Sequence, residues 1–185
     1  MTPAIRDYHP DDFDTLWQLD QECFPPGIAY SRQELGTYIR NRATFTLVAT
    51  ENVASVERTL LPAGAIKKVG HEHHPPRSNT TSKSSQESSP NEVQGFIVVH
   101  RAATGHVITI DVKTEARRSG VGSLLLKAAE QRLLEAGCQS VGLETAVDNV
   151  TALKFYKRHG YTVIRTWPRY YPNGVDAFVL KKELS

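Results

Sequence analysis

The stretch that decides the fold runs Ile108-Thr-Ile-Asp-Val-Lys-Thr-Glu-Ala-Arg-Arg-Ser-Gly-Val-Gly-Ser-Leu-Leu-Leu126. It opens on β-branched residues, passes through a short loop carrying Arg117, Arg118, Gly120 and Gly122, and continues as an apolar helix. Such a strand–loop–helix unit builds an anion site. Its glycines let the backbone approach a ligand closely. The N–H groups of Ser119, Gly120, Val121, Gly122 and Ser123 gather at a helix N-terminus, where the macrodipole favours negative charge. Two familiar phosphate motifs fail the test: there is no Gly-Lys pair for a Walker A loop, and Gly120-Val-Gly122-Ser-Leu-Leu125 lacks the third glycine of a dinucleotide fingerprint. Taken alone, the loop also admits a plain helix start with structural glycines.

Working toward the C-terminus, the spacing predicts a helix over Val121–Ala136 with Leu124, Leu125, Ala128, Ala129 and Leu133 as its apolar stripe, closed by a left-handed Gly137. A strand follows over Ser140–Ala146. Then comes a helix capped by Asp148 or Asn149, running to about His159 and closed by Gly160. Tyr161–Trp167 and Val175–Lys182 read as strands around the turn Tyr171-Pro-Asn-Gly174.

Working back toward the N-terminus, His106–Val112 and Val93–His100 are strands joined only by Arg101–Gly105, so they must be antiparallel neighbours. Phe45–Thr50 is a further strand. Ser31-Arg-Gln-Glu34 is a capping box opening one helix. Another helix carries Phe13, Leu16, Trp17, Asp20, Cys23 and Phe24 at helical spacing, capped by Asp11 or Asp12 and stopped by Pro25-Pro26-Gly27. Ala4–Tyr8 is the first strand. The count is about seven strands and four helices in one mixed α/β sheet.

The 185 residues, 39% hydrophobic and 23% charged, are expected to form a single domain spanning 1–185. A net charge of +2 excludes the basic stripe of a dedicated nucleic-acid binder. Cys23 and Cys138 are too few for a disulfide scaffold or a zinc site, and are read as reduced, packed side chains. No 18-residue apolar run points to a membrane, and the acidic, polar start MTPAIRDYHPDDFD does not resemble a signal peptide. A cytoplasmic location is therefore expected. Between His71 and Asn91 there is no aliphatic, aromatic, Cys or Met residue, so this core of an insertion at about 62–92 is expected to be mobile. Within it, His71-Glu-His-His74 is read as solvated loop, with no second ligand cluster to make a metal site. Asn79-Thr-Thr81 and Asn149-Val-Thr151 match the glycosylation pattern, without meaning where no secretory signal is read.

Arg117-Arg118-Ser119-Gly120-Val121-Gly122 resembles the coenzyme-binding pattern Gln/Arg-x-x-Gly-x-Gly/Ala of the GNAT superfamily of acetyl-CoA-dependent N-acetyltransferases. The likeness extends through Leu143-Glu144, five residues on to Asn149, and Ala152-Leu-Lys-Phe-Tyr156-Lys-Arg-His-Gly160-Tyr161. With Arg169-Tyr170-Tyr171-Pro-Asn-Gly-Val-Asp176-Ala177, it looks most like the N-terminal acetyltransferases, in particular the ribosomal-protein-alanine N-acetyltransferases. The resemblance covers the chain outside about 52–92. It implies an α/β (α+β) GNAT fold: one mixed, mostly antiparallel seven-stranded sheet, flanked by about four helices, with a parallel strand pair splayed at the coenzyme site.

What the resemblance implies for residues follows. Backbone groups of Ile110, Asp111 and Val112, at the splay, bind the pantetheine arm and thioester of acetyl-CoA. The loop Arg117–Gly122 and Ser123 take the pyrophosphate, with charge-assisted contacts from Arg117 or Arg118. Asn149 helps hold the coenzyme, acts as an N-cap, or does both. Glu144 accepts the proton that the substrate ammonium must lose, a backbone N–H near Val112 stabilises the oxyanion, and Tyr156 protonates the leaving thiolate. The alternatives are a solvent-facing strand Glu144 and a Tyr156 that only packs. Tyr30, Tyr170 and Tyr171 line the peptide entrance, and no metal is implied. The acceptor is a protein or peptide N-terminus, a ribosomal protein among the candidates, or a small amine. A coenzyme-binding module with little turnover is the alternative of another class. One departure bears on the choice: the relatives carry Val-Arg after the glutamate, and this chain has Thr145-Ala146. The oligomeric state stays open.

Overall fold

The computed structural model describes residues 3–51 and 92–185. Its strands are β1 (Pro3–Asp7), β2 (Thr44–Glu51), β3 (Val93–His100), β4 (Gly105–Val112), β5 (Ser140–Ala146), β6 (Thr162–Trp167) and β7 (Ala177–Glu183). Its helices are α1 (Phe13–Cys23), α2 (Arg32–Arg40), α3 (Val121–Glu135) and α4 (Val150–Arg158). The strands form one sheet in the order β1-β2-β3-β4-β5-β7-β6. Every pairing is antiparallel except β4 with β5. The expected mixed seven-stranded sheet with four helices is present. The readings of His71–His74, Asn79 and nearly all of the insertion at 62–92 lie outside the described residues.

Two cores cover the two faces of the sheet. On one, Leu47, Ile97, Val99 and Val107 pack against Leu125, Leu126, Ala129 and Leu133 of α3, with Tyr156 of α4 in the same cluster. On the other, Val48, Phe96 and Val98 pack against Leu16 and Leu19 of α1 and Leu35 of α2. Strands covered on both faces have no polar side to alternate with, which explains the unbroken Phe96-Ile-Val-Val99 run of β3. Close packing also dictates composition. A Cβ on Gly105 would stand 2.4 Å from Leu133 Cδ1, so any larger residue there would force the buried Leu133 side chain of α3 to shift.

Two local expectations need correction. The stripe of α3 is Val121, Leu125, Ala129 and Leu133 with Leu126 beside it, while Leu124 is exposed. At 100° per residue, Leu124 points roughly 135° away from the centre of that row, and Leu126 falls on the core side. At α1, Asp12 makes no side-chain cap. A 3-10 turn at Pro10–Asp12 precedes the helix, capped by His9, and the Asp12 carboxylate accepts from His9 N at 2.7 Å and from the Arg6 guanidinium. The predicted capping box of α2 is present, with Glu34 N donating to Ser31 Oγ and Ser31 N donating to Glu34 Oε2.

One irregularity positions the site. Val98 pairs with Thr109 but Val99 pairs with Val107, so Ile108 is an extra residue in β4. A bulge of this kind bends its strand and raises its twist. The parallel pairing of β4 with β5 consists of Gly105 with Val141 and His106 with Gly142, and it ends just before the bulge. Beyond it the two strands part.

Candidate active site

The gap between β4 and β5 opens into a cleft of about 1130 Å³. Ile108, Ile110 and Val112 line one wall, and Leu143, Glu144 and Ala146 the other. Lys113 N donates to Gln94 O across the β3 edge. Because successive residues of a ladder turn to opposite sides, the amides of Ile110 and Val112 face the gap, where no strand takes them up. The Asp111 carboxyl points elsewhere. It is buried beside Asp20 and Cys23 of α1, receives the Thr109 hydroxyl at 3.0 Å, and burial holds it well above the usual carboxylate range.

At one end of the cleft, the first turn of α3 has no side-chain cap and no acidic residue. α2 and α4 differ, because Ser31 with Glu34 and Asn149 close their N-termini. Gly120 precedes α3 at φ +97°, a conformation that glycine adopts without strain. Gly122 has a different status. A Cβ there would meet Phe155 at 3.5 Å, an ordinary contact, so the protein itself leaves room for a side chain. Arg117, Arg118, Gly120, Gly122 and Ser123 line the cleft, whereas Val121 is buried in the core and Ser119 donates its hydroxyl to Ala116 O. Arg117 Nε is committed to Val112 O at 3.1 Å, which leaves Arg118, held at φ +64°, as the more available cation of the pair. The Asn149 side chain receives Ala152 N at 3.0 Å and so caps α4 while bordering the same cleft. Ser123 is tied to α4 through His159. The Phe155 carbonyl can only accept, so Nδ1 carries the proton and Nε2 accepts from the Ser123 hydroxyl.

At the other end the cleft meets a second cavity of about 270 Å³ lined by Tyr30, Tyr38, Asn41, His100, His106, Tyr170 and Tyr171, among others. Glu144, Tyr30 and Tyr171 border both cavities, and Tyr170 only the smaller. The Glu144 side chain is 12% exposed and sits 3.1 Å from His106 Nε2, so it is not the solvent-facing strand residue that its residue type alone would suggest. Tyr156 both packs in the core and lines the cleft, and burial, with Asp111 adding, holds its hydroxyl protonated far above neutral pH. Tyr30 is fixed by its backbone: Asp20 Oδ2 accepts its N–H at 2.8 Å, and Gln21 Nε2 donates to its carbonyl at 2.8 Å. Tyr171 is pushed up to about 12, chiefly by burial.

Sequence reasoning missed His106, His100, Tyr38 and Asn41. The histidines begin and end apolar strands, a weak signal, and only the cross-strand register sets them opposite each other. Cys23 and Cys138 are free thiols. Among the described residues no cluster of three or more His, Cys, Asp or Glu could hold a metal, and no helix is long and apolar enough to cross a membrane.

Comparison with known proteins gives this geometry a family. Over 80 residues the chain is 41% identical to an uncharacterised N-acetyltransferase of Methanocaldococcus jannaschii, an alignment covering 43% of this chain and 51% of that protein. Over 77 residues it is 40% identical to human N-alpha-acetyltransferase 30, covering 42% of this chain and 21% of the human one. The matched part thus spans about half the length of these curated relatives, or less. In fold, the ribosomal-protein-S18-alanine N-acetyltransferase of Escherichia coli superposes with a TM-score of 0.72 at 15% identity, over 100% of this chain and 95% of that one. The matching chain of a NatC complex bound to Gag peptide and CoA superposes with a TM-score of 0.73 at 19% identity, over 100% of both. The acetyltransferase (GNAT) family profile matches residues 13–161, and this chain belongs to that family.

Proposed function

We propose that this chain transfers the acetyl group of acetyl-CoA to the α-amino group of a protein or peptide N-terminus. The observation that carries the reading is the junction at Glu144, where the cleft from the uncapped end of α3 meets the aromatic cavity beside β4. The residues suit a bound coenzyme. The open α3 turn gathers N–H donors that the fold leaves without a side-chain acceptor, and Gly122 keeps the cleft wall beside them free of bulk. Those donors and Arg118 hold the pyrophosphate, and the amides of Ile110 and Val112 hold the pantetheine arm as a missing strand would. When bound, acetyl-CoA supplies the thioester carbonyl that the amine attacks.

The chain's own groups then divide the proton work. Glu144 accepts the proton of the incoming ammonium, directly or through one water. The Val112 amide, aimed into the gap, stabilises negative charge that develops there. Tyr156 keeps its proton at neutral pH because its hydroxyl is buried, and it delivers that proton to the departing sulfur. Tyr30, Tyr170 and Tyr171 border the smaller cavity, through which the acceptor enters. The family relationship and the named relatives support N-terminal acetylation. Ala146 lines the cleft at the position where the resemblance to N-terminal acetyltransferases implies Arg, and that departure favours a second reading with a small amine as acceptor. A thiol-release assay with N-terminal peptides and polyamines side by side separates the two. Activity on polyamines with none on any peptide overturns the peptide reading.

A further inference from the structure

Helices α1 and α2 cover only half of their face of the sheet. Among the described residues, the core beneath them takes its sheet side chains from β2, β3 and β4, such as Val48, Phe96, Val98 and Ile108, and none from β5, β6 or β7. The register shows what the uncovered half carries. Leu143 and Leu180 pair across β5 and β7 and point into the α3 core, so Glu144 and its partner Val179 point to the opposite, uncovered side. Val179 in turn pairs with Arg165 of β6, which shares that side. Glu144, Val179 and Arg165 thus form one row across three strands. With neighbouring strands about 4.8 Å apart, the Arg165 Cα stands about 10 Å from that of Glu144. The floor between them is low, because Val179 is short and Gly142, two residues before Glu144, has no side chain. Arg165 is exposed, and among the described residues no carboxylate lies within ion-pair distance of it. Lys181, on the same side, is neutralised by Glu183 at 2.8 Å.

An anion and an unpaired cation about 10 Å apart on an open floor complement a dipolar ligand, with an ammonium at one end and a carboxylate at the other. Resting on the N-terminal acetylation reading, we propose that the acceptor is a peptide N-terminus with Asp or Glu at its third or fourth residue, whose carboxylate Arg165 binds while the α-amine lies at Glu144. An extended chain advances about 3.4 Å per residue, so its third and fourth residues lie about 7 and 10 Å beyond the first. The guanidinium fork matches a carboxylate in bidentate geometry. A polyamine, cationic along its length, offers Arg165 no such partner.

The test uses three peptides with the same free N-terminus that differ only in carrying Glu, Gln or Lys at both the third and fourth positions. For the wild type, kcat/KM with the Glu peptide should exceed that with the Gln peptide about fivefold, and that with the Lys peptide about tenfold, as exposed charge pairs allow. Arg165→Gln should erase the difference between the Glu and Gln peptides, and Arg165→Glu should reverse the order of the Glu and Lys peptides. Lys127→Gln removes the same charge from α3, on the far side of the sheet, and should leave the wild-type preference intact. Equal kcat/KM for the three peptides overturns the proposal. So does a preference that survives Arg165→Gln, or one that Lys127→Gln abolishes. A binding arm stands apart from catalysis: fluorescence anisotropy of the Glu and Lys peptides, labelled at their C-termini, on protein saturated with CoA. The Glu peptide should bind about tenfold more tightly than the Lys peptide, and Arg165→Glu should remove that advantage. If the wild type acetylates none of the peptides, the functional reading fails while this arm still decides the role of Arg165. Equal affinity for the two peptides refutes that role.

Discussion

Asp20 offers a quantitative test of how the acceptor side is held. It is fully buried on α1, with Oδ2 receiving the Tyr30 amide and Oδ1 receiving no donor. Burial raises its pKa from 3.8 to about 6, against the lowering effect of its bonds to Tyr30 and Gln21. A carboxyl that binds its proton more tightly in the folded state favours folding below its unfolded pKa, and that advantage is lost as pH rises through its folded value. The shift of about two units costs about 3 kcal/mol at pH 7.5, at 1.36 kcal/mol per unit, and only about 1 kcal/mol at pH 4.5. Asp20→Asn keeps the shape and an oxygen acceptor for Tyr30 N without the buried charge. A pH-independent cost falls on the Asn N–H groups placed where Oδ1 has no partner. On top of that cost, the stability of the variant relative to wild type should rise by about 2 kcal/mol between pH 4.5 and pH 7.5. Urea unfolding across that range reads it directly. A difference between variant and wild type that does not move in the variant's favour as pH rises would refute the reasoning.

Further expectations concern the coenzyme side and the frame. Gly122→Ala should leave stability within about 1 kcal/mol of wild type, because the added methyl meets Phe155 and Val112 only at ordinary contact distances. Since the pattern admits Ala at this position, Gly122→Ala should also keep acetyl-CoA affinity within about threefold by calorimetry, whereas Gly122→Asp should weaken it about tenfold or more. Unchanged affinity in Gly122→Asp would remove the pyrophosphate from that turn. Glu144→Gln and Tyr156→Phe should each lower kcat about 100-fold with little change in acetyl-CoA affinity, and wild-type kcat at every pH in both would end the acid–base assignment. Gly105→Ala should destabilise by about 2 kcal/mol or more, since its Cβ would overlap Leu133; thermal melting checks this. Ser31→Ala should cost about 1 kcal/mol through its lost cap on α2.

Where local chemistry decides, the sequence was readable. β3 and β5 have the bounds that the sequence predicts, and Gly137 and Gly160 take the left-handed values that end α3 and α4. The capping box at Ser31 needed only four residues to be recognised. Errors arose where two local solutions compete. Asp12 was free to cap α1 but is drawn to Arg6, a partner on another element. Leu124 and Leu126 flank Leu125 alike, and only the position of the sheet decides which is buried. The anion loop, Glu144 and Tyr156 were legible as a family pattern, and the structure gathers all three around one cleft. His106 was not legible, because its partner lies 38 positions away and meets it only through the short parallel pairing of β4 with β5. The Ile108 bulge that ends that pairing was hidden for the same reason. A bulge is a mismatch between two strands, and neither strand alone records it.

The central claim, that the cleft delivers an acetyl group to an α-amine at Glu144, is tested most directly by locating the product. The chain is incubated with acetyl-CoA and a peptide bearing both a free N-terminus and an internal lysine, and fragment mass spectra assign the modified nitrogen. The account predicts acetylation of the α-nitrogen, with stoichiometric thiol release, and its loss in Glu144→Gln. Thiol released only with polyamines, or acetylation that persists undiminished in Glu144→Gln, would contradict it.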